Sequence, residues 1–394
     1  MNEAVPPVVV PCDLRGRPGG LMDDGFQFGI EEEFFLADVS TGASPDGATA
    51  DRFHARAEKR VEASSHELLK GQIEIQTEPG TDFDAACAEL RRMRQTLAKT
   101  AEAEGLLLFA AGSHPLAQAR SQEITEAERY EKLQAELRII AERSMVCATH
   151  IHVSAPEPDA RIQLMNRLIP FLPLFYALSV ASPFWQGQDT GLKGFRPSAF
   201  SEWPRMGVPE LFADQDEYRH YVTLMVDAGV IRDSSFLWWH IRPSEHYPTI
   251  ELRICDAAPR VEDGVAIAAL YQALLRCASR MPGLNGGVGP VDRAVCTSNI
   301  WQVQQFGRDA KLIDPARGGT ISVVEKLEAT LDLVAEDVDA LGSASWVART
   351  REMVARPSAA ERQLETYRQA RAAGTRDRDA MLAVVTMLAD ETKA

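Results

Sequence analysis

Between Phe26 and Leu36 the chain reads FQFGIEEEFFL, a run with the alternation and aromatic content of a β-strand that carries three consecutive glutamates. On a strand, successive side chains point to opposite faces. Glu31 and Glu33 therefore share one face, and Ile30, Glu32 and Phe34 share the other. Two carboxylates side by side repel, and burying them without partners is expensive. Such a strand is either a solvent-exposed edge or part of a site that neutralises acid. The device recurs. In QIEIQ (72–76) Glu74 shares a face with Gln72 and Gln76, and in IELRI (250–254) Glu251 and Arg253 face away from Ile250, Leu252 and Ile254. In HIHVS (150–154) His150, His152 and Ser154 point one way.

Composition sharpens the puzzle. Lys and Arg number 42 against 57 Asp and Glu, a formal net charge of −15 over 394 residues. That balance argues against non-specific binding to nucleic acid or an anionic membrane. An acidic chain that handles an anionic substrate needs local cations or metals. The six cysteines are scattered without a C-x-x-C pair, as in a cytosolic protein with reduced thiols. Residues 1–24 read as a flexible lead-in rich in Pro, Gly and Asp, whose early acid and prolines do not suit a signal peptide. The most apolar stretch, Ile169 to Trp185, is short for a membrane span and is interrupted by Pro170, Pro173 and Pro183, which suggests a buried helix with a kinked start. A soluble, cytoplasmic protein is expected.

Strand-like runs fall at Phe26–Leu36, Gly71–Thr77, Leu106–Ala111, Cys147–Ser154, Ser235–Ile241 and Thr249–Cys255. Helical patterns cover 82–104, 123–143, 159–181, 214–229 and 261–281, and the last hundred residues read as helices only, over 320–341, 357–372 and 375–391. The last two strands are joined by the turn-rich RPSEHYP, too short for a parallel crossover. The pattern predicts an α+β fold, a mainly antiparallel sheet covered by helices on one face, with a helical C-terminal part. GLNGGVGPV (283–291) is a linker candidate lacking the G-K-[ST] of a phosphate loop, and it divides a catalytic domain spanning 25–394 into a sheet-bearing part (25–282) and a helical part (283–394).

If those strands lie in one sheet, Glu31, Glu33, Glu74, His150, His152, Glu251 and Arg253 form one polar face. A set rich in oxygen ligands with one or two imidazoles suits Mg²⁺ or Mn²⁺ better than structural Zn²⁺. Carboxylate-held Mg²⁺ commonly works with nucleotide phosphates.

The segments GIEEE, IEIQT, CATHIHVS and TIELR, with SPFWQGQDTGLKGFRP (182–197), resemble the carboxylate–amine ligase family related to bacterial glutamate–cysteine ligases, in particular the stand-alone type 2 proteins. The resemblance runs from about 25 to 280. It implies a glutamine-synthetase-like fold whose curved sheet binds ATP, divalent metal and an amino acid. It further implies an ATP-dependent reaction through an acyl phosphate, with glutamate and cysteine as the default pair and γ-glutamylcysteine, ADP and phosphate as products, a step of glutathione biosynthesis. Other acids or amines remain open as substrates. Carried over, Glu31, Glu33, Glu74 and Glu251 become Mg²⁺ ligands, His150 matches the histidine of the H-x-[HN]-x-S strand, and Glu67 is a further acidic candidate.

Carboxylate activation sets a phosphoryl group beside a carboxylate, so neutralising charge is the main catalytic need. Arg253 and Arg196 are the candidate cationic clamps, and Lys193, His152 and Arg205 candidate nucleotide or substrate contacts. Of Trp238 and Trp239, one is expected in the core while the other could pack on adenine or the amine; His114, His220, His240 and His246 default to structural roles. Two rival classes stand beside the ligase: a metal-dependent amidohydrolase-like enzyme, whose H-x-H ends a barrel strand, and a non-catalytic nucleotide-binding protein. A homo-oligomer is compatible with a chain of this size.

Overall fold

The computed structural model describes residues 25–155 and 157–394, so the predicted lead-in over 1–24 lies outside the described residues. Its centre is a seven-stranded sheet. The strands in chain order are β1 (Phe28–Asp38), β2 (Ser64–His66), β3 (Gln72–Gln76), β4 (Leu106–Phe109), β5 (Thr149–Ser154), then β6 (Phe184–Trp185) and β7 (Gln188–Asp189) in a separate small hairpin, and β8 (Ile241–Pro243) and β9 (Thr249–Leu252). Across the main sheet the order is β2-β3-β1-β5-β9-β8, with β4 pairing the far half of β1. Every pairing in it is antiparallel. The α+β expectation is met, and the parallel barrel that the amidohydrolase-like rival needs is not what these residues build.

The register brings the polar residues together. Glu33 lies opposite Glu74, Glu31 opposite His150, His152 opposite Glu251, and Glu251 opposite Arg242. Because side chains alternate, placing these on one face puts Ile30, Glu32, Phe34, Ile151, Ile250 and Leu252 on the other, where they are buried. Two long helices back that face. The first, Phe83–Glu102, is capped by Asp82, whose side chain accepts from the Asp84 and Ala85 N–H groups, and its Phe83 stacks on Phe28 with ring centroids 4.1 Å apart. The second, Val261–Arg280, is buried along most of its length.

One charged pair sits among these apolar contacts. Glu32 and Arg94 are each only 1% exposed. Arg94 donates Nε to Glu32 Oε2 at 2.8 Å and Nη2 to Oε1 at 2.7 Å, with Nη1 also donating to the Pro259 carbonyl (2.7 Å) and Nη2 to the Ala258 carbonyl (2.9 Å). A bidentate pair with two further hydrogen bonds to backbone carbonyls comes close to the condition under which a buried ion pair is tolerated.

Several elements depart from the sequence reading. The strand expected at Ser235–Ile241 is a 3₁₀ turn, Ser234–Phe236, followed by β8 from Ile241, because the Asp233 side chain accepts the Ser235 N–H and stops extension. The hairpin from β8 to β9 is present nonetheless. The C-terminal part is not purely helical: Lys311–Asp314 and Gly319–Ser322 form a hairpin after an unforeseen helix, Pro290–Phe306, whose start overlaps the linker candidate. The helix expected over 123–143 is broken at Arg138, which has φ 48°, into Glu128–Leu137 and Ile139–Glu142. The apolar stretch around Pro170 and Pro173 is kinked as expected, with a 3₁₀ turn over Ile169–Phe171. No described helix is long and apolar enough to cross a membrane.

Breaking the buried pair from one side should be severe. Glu32→Gln or Arg94→Met is expected to cost about 3–5 kcal/mol in urea unfolding, and the double variant less than the sum of the two. Single variants within 1 kcal/mol of the wild type would show that the pair does not hold the sheet to its helix.

Candidate active site

The carboxylate-bearing face is closed in by its own chemistry. His150 Nδ1 lies 3.4 Å from Glu31 Oε2, and its Nε2 lies 3.7 Å from Glu33 Oε1. His152 Nε2 lies 3.2 Å from Glu31 Oε1 and 3.9 Å from Glu251 Oε1, while its Nδ1 meets Thr249 Oγ1 at 2.9 Å. Glu33 accepts the Ala148 N–H at 2.8 Å, and Glu74 accepts the Ser65 hydroxyl at 3.0 Å. Glu251 is 2% exposed at its side chain and is gripped twice, by Arg242 Nε at 2.7 Å and by Arg253 Nη1.

Three overlapping groups have ligand atoms that all lie within 4.8 Å of one another: Glu31, Glu74 and His150; Glu31, His152 and Glu251; and Glu33, Glu67 and Glu74. Glu31 and Glu74 are shared between groups, as adjacent ion positions would require. Oxygen-rich sets of this kind fit hard divalent cations.

The electrostatics divide the face in two. At the β2–β3 end there is more acid than cation. Burial, then the nearby Glu67 carboxylate, pushes Glu33 up to about 8; burial, then Glu31, Glu67 and Glu33, pushes Glu74 well above the usual carboxylate range. At the β8–β9 end cations prevail. Burial opposes the charge on Glu251, yet Arg242 and Arg253 outweigh it and hold the carboxyl well below its ordinary value. His150 is pushed down to about 4 by burial and then by Arg253, and is neutral near pH 7. For His152 burial works the other way from Glu31 and Glu251, whose carboxylates prevail and raise it.

The structure brings together Glu31, Glu33, Glu74, His150, His152, Glu251 and Arg253, all read from strand alternation, and with them Glu67, the further acidic candidate carried over from the resemblance. The other three candidate cations make their hydrogen bonds and packing contacts outside the cluster, although Arg196 is near enough to Glu33 to pull its carboxyl down against burial. Arg196 is buried, with Nη1 on the Ile254 carbonyl (2.9 Å), Nη2 on the Arg253 carbonyl (2.8 Å) and Asp256 Oδ1 at 3.7 Å, so it holds the backbone that presents Arg253 instead of reaching for a ligand. Lys193 is half-buried, its chain packed beside Gly307. Arg205 donates Nε to the Phe236 carbonyl at 3.2 Å and lies over the Trp238 ring at 5.4 Å. Trp238 and Trp239 are both buried among aromatics, Trp238 against Trp203 and Trp239 near Phe212, so neither is free to stack on a ligand.

One residue of the face was missed, and a second lies close to it. Arg242 directly faces Glu251, but lies just past the segment taken as a strand. His240, taken as structural, has a buried Nδ1 without a hydrogen-bond partner and is pushed down to about 3 by burial and then by Arg196 and Arg253. Its only sequence signal is its place two residues before Arg242.

The model of glutamate–cysteine ligase family 2 (GCS2) matches residues 27–384. The chain belongs to that family. Relatives carrying the provisional name glutamate–cysteine ligase 2 include one from Bradyrhizobium sp. (strain ORS 278), 39% identical over 90% of this chain and 87% of its own, and one from Jannaschia sp. (strain CCS1), 38% identical over 94% and 97%. Among solved structures, the bifunctional glutathione synthetase of Pasteurella multocida superposes with a TM-score of 0.67 at 14% identity, over 93% of this chain, which spans about half (52%) of that longer protein. The glutamate–cysteine ligase of Francisella tularensis, solved in complex with AMP, gives 0.63 at 13% identity over 94% of this chain and 89% of its own. These two likenesses show that the family's α+β fold is the glutamate–cysteine ligase fold.

Behind Arg253, Asp256 is fully buried, accepting the Ala181 N–H (2.8 Å) and the Ser182 hydroxyl (2.7 Å). Burial raises its carboxyl to about 6, with Arg196 pulling the other way. A carboxyl with a higher pKa folded than unfolded favours folding below the unfolded value, near 3.8, and that contribution is lost as pH rises through about 6. Relative to Asp256→Asn, the wild type should therefore lose up to about 3 kcal/mol of stability between pH 4 and 7. Urea titrations across that range check it; a difference between the two proteins that does not change with pH would contradict the assignment.

Proposed function

We propose that this protein is an ATP-dependent carboxylate–amine ligase. The carboxylate of one substrate takes the γ-phosphoryl group of ATP and ADP leaves; an amine then attacks the acyl phosphate, phosphate leaves, and an amide remains. Glutamate and cysteine are the pair that the family description suggests, giving γ-glutamylcysteine.

The observation that carries the reading is the set of three overlapping acid and imidazole groups on one sheet face, bounded on one side by Arg253 and Arg242. The donor chemistry fits Mg²⁺. Glu31, Glu33, Glu67, Glu74 and Glu251 offer hard oxygen atoms, and the raised Glu33 and Glu74 show more negative charge than the protein's own cations neutralise. Those residues, with His150 and His152, would hold the metal, which when bound supplies neutralisation of the phosphate charge.

The chain's own groups account for the rest. Arg253 would act as the cation for a phosphoryl or carboxylate oxygen; its guanidinium nitrogen on Glu251 and a backbone held by Arg196 support that role. Arg242 orients Glu251 from the opposite side and anchors the overlying segment through the Ser235 carbonyl at 2.7 Å. Such preorganised charge is what phosphoryl transfer chiefly requires.

The test is ADP release with Mg²⁺, ATP, glutamate and cysteine, followed by other acid and amine pairs, with the amide identified by mass. Glu31→Gln, Glu74→Gln and Glu251→Gln should each lower turnover by about 100-fold or more, and removing divalent metal should abolish it. Background ADP release with every pair while ATP still binds would sink the ligase and favour a nucleotide-binding protein without catalysis.

A further inference from the structure

One buried side chain beside the acid face is not accounted for by the fold or by the proposed chemistry. His240 is 5% exposed, and its Nδ1 is enclosed without a hydrogen-bond partner. Its Nε2 makes no hydrogen bond among the described residues either. A neutral imidazole carries one N–H and one lone pair, and buried polar groups are normally paired. Here neither is.

The backbone places this ring on the site side of the sheet. The Arg253 N–H donates to the His240 carbonyl at 2.8 Å, which carries the β8–β9 ladder one step past Ile241 and Leu252. Along that ladder Arg242 and Glu251 grip each other on the site face, whereas Ile241 and Leu252 are buried in the core. Alternation then returns His240 to the face that carries Arg253. The His240 N–H donates to the Gly207 carbonyl at 2.8 Å, so both backbone groups of the residue are held. The charges acting on the ring agree with this placement, because after burial the two groups that push it down are Arg196 and Arg253. Around Arg253 stand Glu251, Glu33 and Glu31, all members of the acid cluster.

A ring in that field is neutral near pH 7 and too weak a base to take a proton from an amine. Donation remains. Beside two guanidinium groups a lone pair is better placed than an N–H, which makes the enclosed Nδ1 the bare nitrogen and Nε2 the N–H. A neutral imidazole N–H can stabilise negative charge on an oxygen without giving up its proton. A phosphoryl group in transfer spreads its charge over three oxygens. Arg253 already has one guanidinium nitrogen committed to Glu251, so a second donor beside it supplies what that arginine lacks.

We infer that His240 is a catalytic residue whose Nε2–H, next to Arg253, donates a hydrogen bond to an oxygen of the transferring phosphoryl group. The bond from phosphorus to ADP breaks as the bond to the substrate carboxylate forms, and His240 keeps its proton throughout. This rests on the ligase reading only for the transfer itself; the contact to a phosphoryl-like anion is separable from it.

The experiment compares His240→Phe, which keeps the ring's bulk, with His240→Gln, which keeps an N–H near the place of Nε2. The full-length protein with Mg²⁺ and ADP is titrated with orthovanadate, a mimic of the phosphoryl group in transfer. His240→Phe should weaken orthovanadate about tenfold or more while leaving ADP alone within about twofold, and His240→Gln should recover most of the loss. In the ligase assay His240→Phe should lower kcat by about 100-fold with little change in KM for the acid, and the pH profiles of the wild type and His240→Gln should run parallel from about pH 5 to 8. Phe and Gln behaving alike, whether both harmless or both harmful, overturns the assignment, as does an acid limb present in the wild type and lost in His240→Gln. Circular dichroism melts check folding. If His240→Phe does not fold, the wild type decides by ¹H–¹⁵N spectroscopy of its ring: an Nε2–H signal that does not move on adding orthovanadate overturns the contact. Hydroxylamine, which traps an acyl phosphate as a hydroxamate, reports on the ligase reading independently: no hydroxamate with any acid sinks that reading, while the orthovanadate result still decides the contact.

Discussion

The pair that most of this structure depends on is buried on the side of the sheet away from the site. Glu32 sits between the two carboxylates that the site uses, on a strand whose alternation sends it into the core. Left alone there it would be too costly, and Arg94 is the answer. The same guanidinium reaches the carbonyls of Ala258 and Pro259, on the chain that leads from β9 into the helix Val261–Arg280. One side chain therefore fixes the first strand of the sheet against the segment following the strand that carries Glu251. A one-residue slip of β1 would bring Glu32 onto the site face and carry Glu31 and Glu33 into the core, where nothing waits for two charges.

On the site face, charge runs in a gradient. Carboxyls at the β3 end are pushed up by burial and then by one another, whereas Glu251 at the β9 end is held ionised against burial by two arginines. The two histidines of one strand diverge although both lie near Glu31 and Glu251: burial and then Arg253 prevail at His150, whereas the carboxylates prevail over burial at His152. The net charge of −15 is thus partly concentrated where cations are needed, which removes the objection that an acidic chain cannot handle anions.

How much of this could be read in the sequence follows from periodicity. Residues on strands have a face, and alternation alone grouped Glu31, Glu33, Glu74, His150, His152, Glu251 and Arg253. Loop residues have no period, so Lys193, Arg196 and Arg205 could be recognised as cations but their directions could not. Arg94 has no signal of its own in the sequence beyond its place among Leu90, Met93 and Leu97 on the buried side of its helix. Arg242 was hidden for another reason. SFLWWHI has stronger β-character than IRP, yet its tryptophans belong to an aromatic cluster and the Asp233 cap turns its start into a 3₁₀ turn. Tertiary packing overrode local preference at that point.

The helix Glu128–Leu137 and the segment ahead of β8 are hydrogen-bonded to opposite edges of the sheet, through the His66 carbonyl and through Arg242. The coiling of the sheet therefore bears on how these two segments sit relative to each other. Substitutions deep in the backing core, such as at the Phe28–Phe83 stack, can reach both edges without touching a residue of the acid cluster.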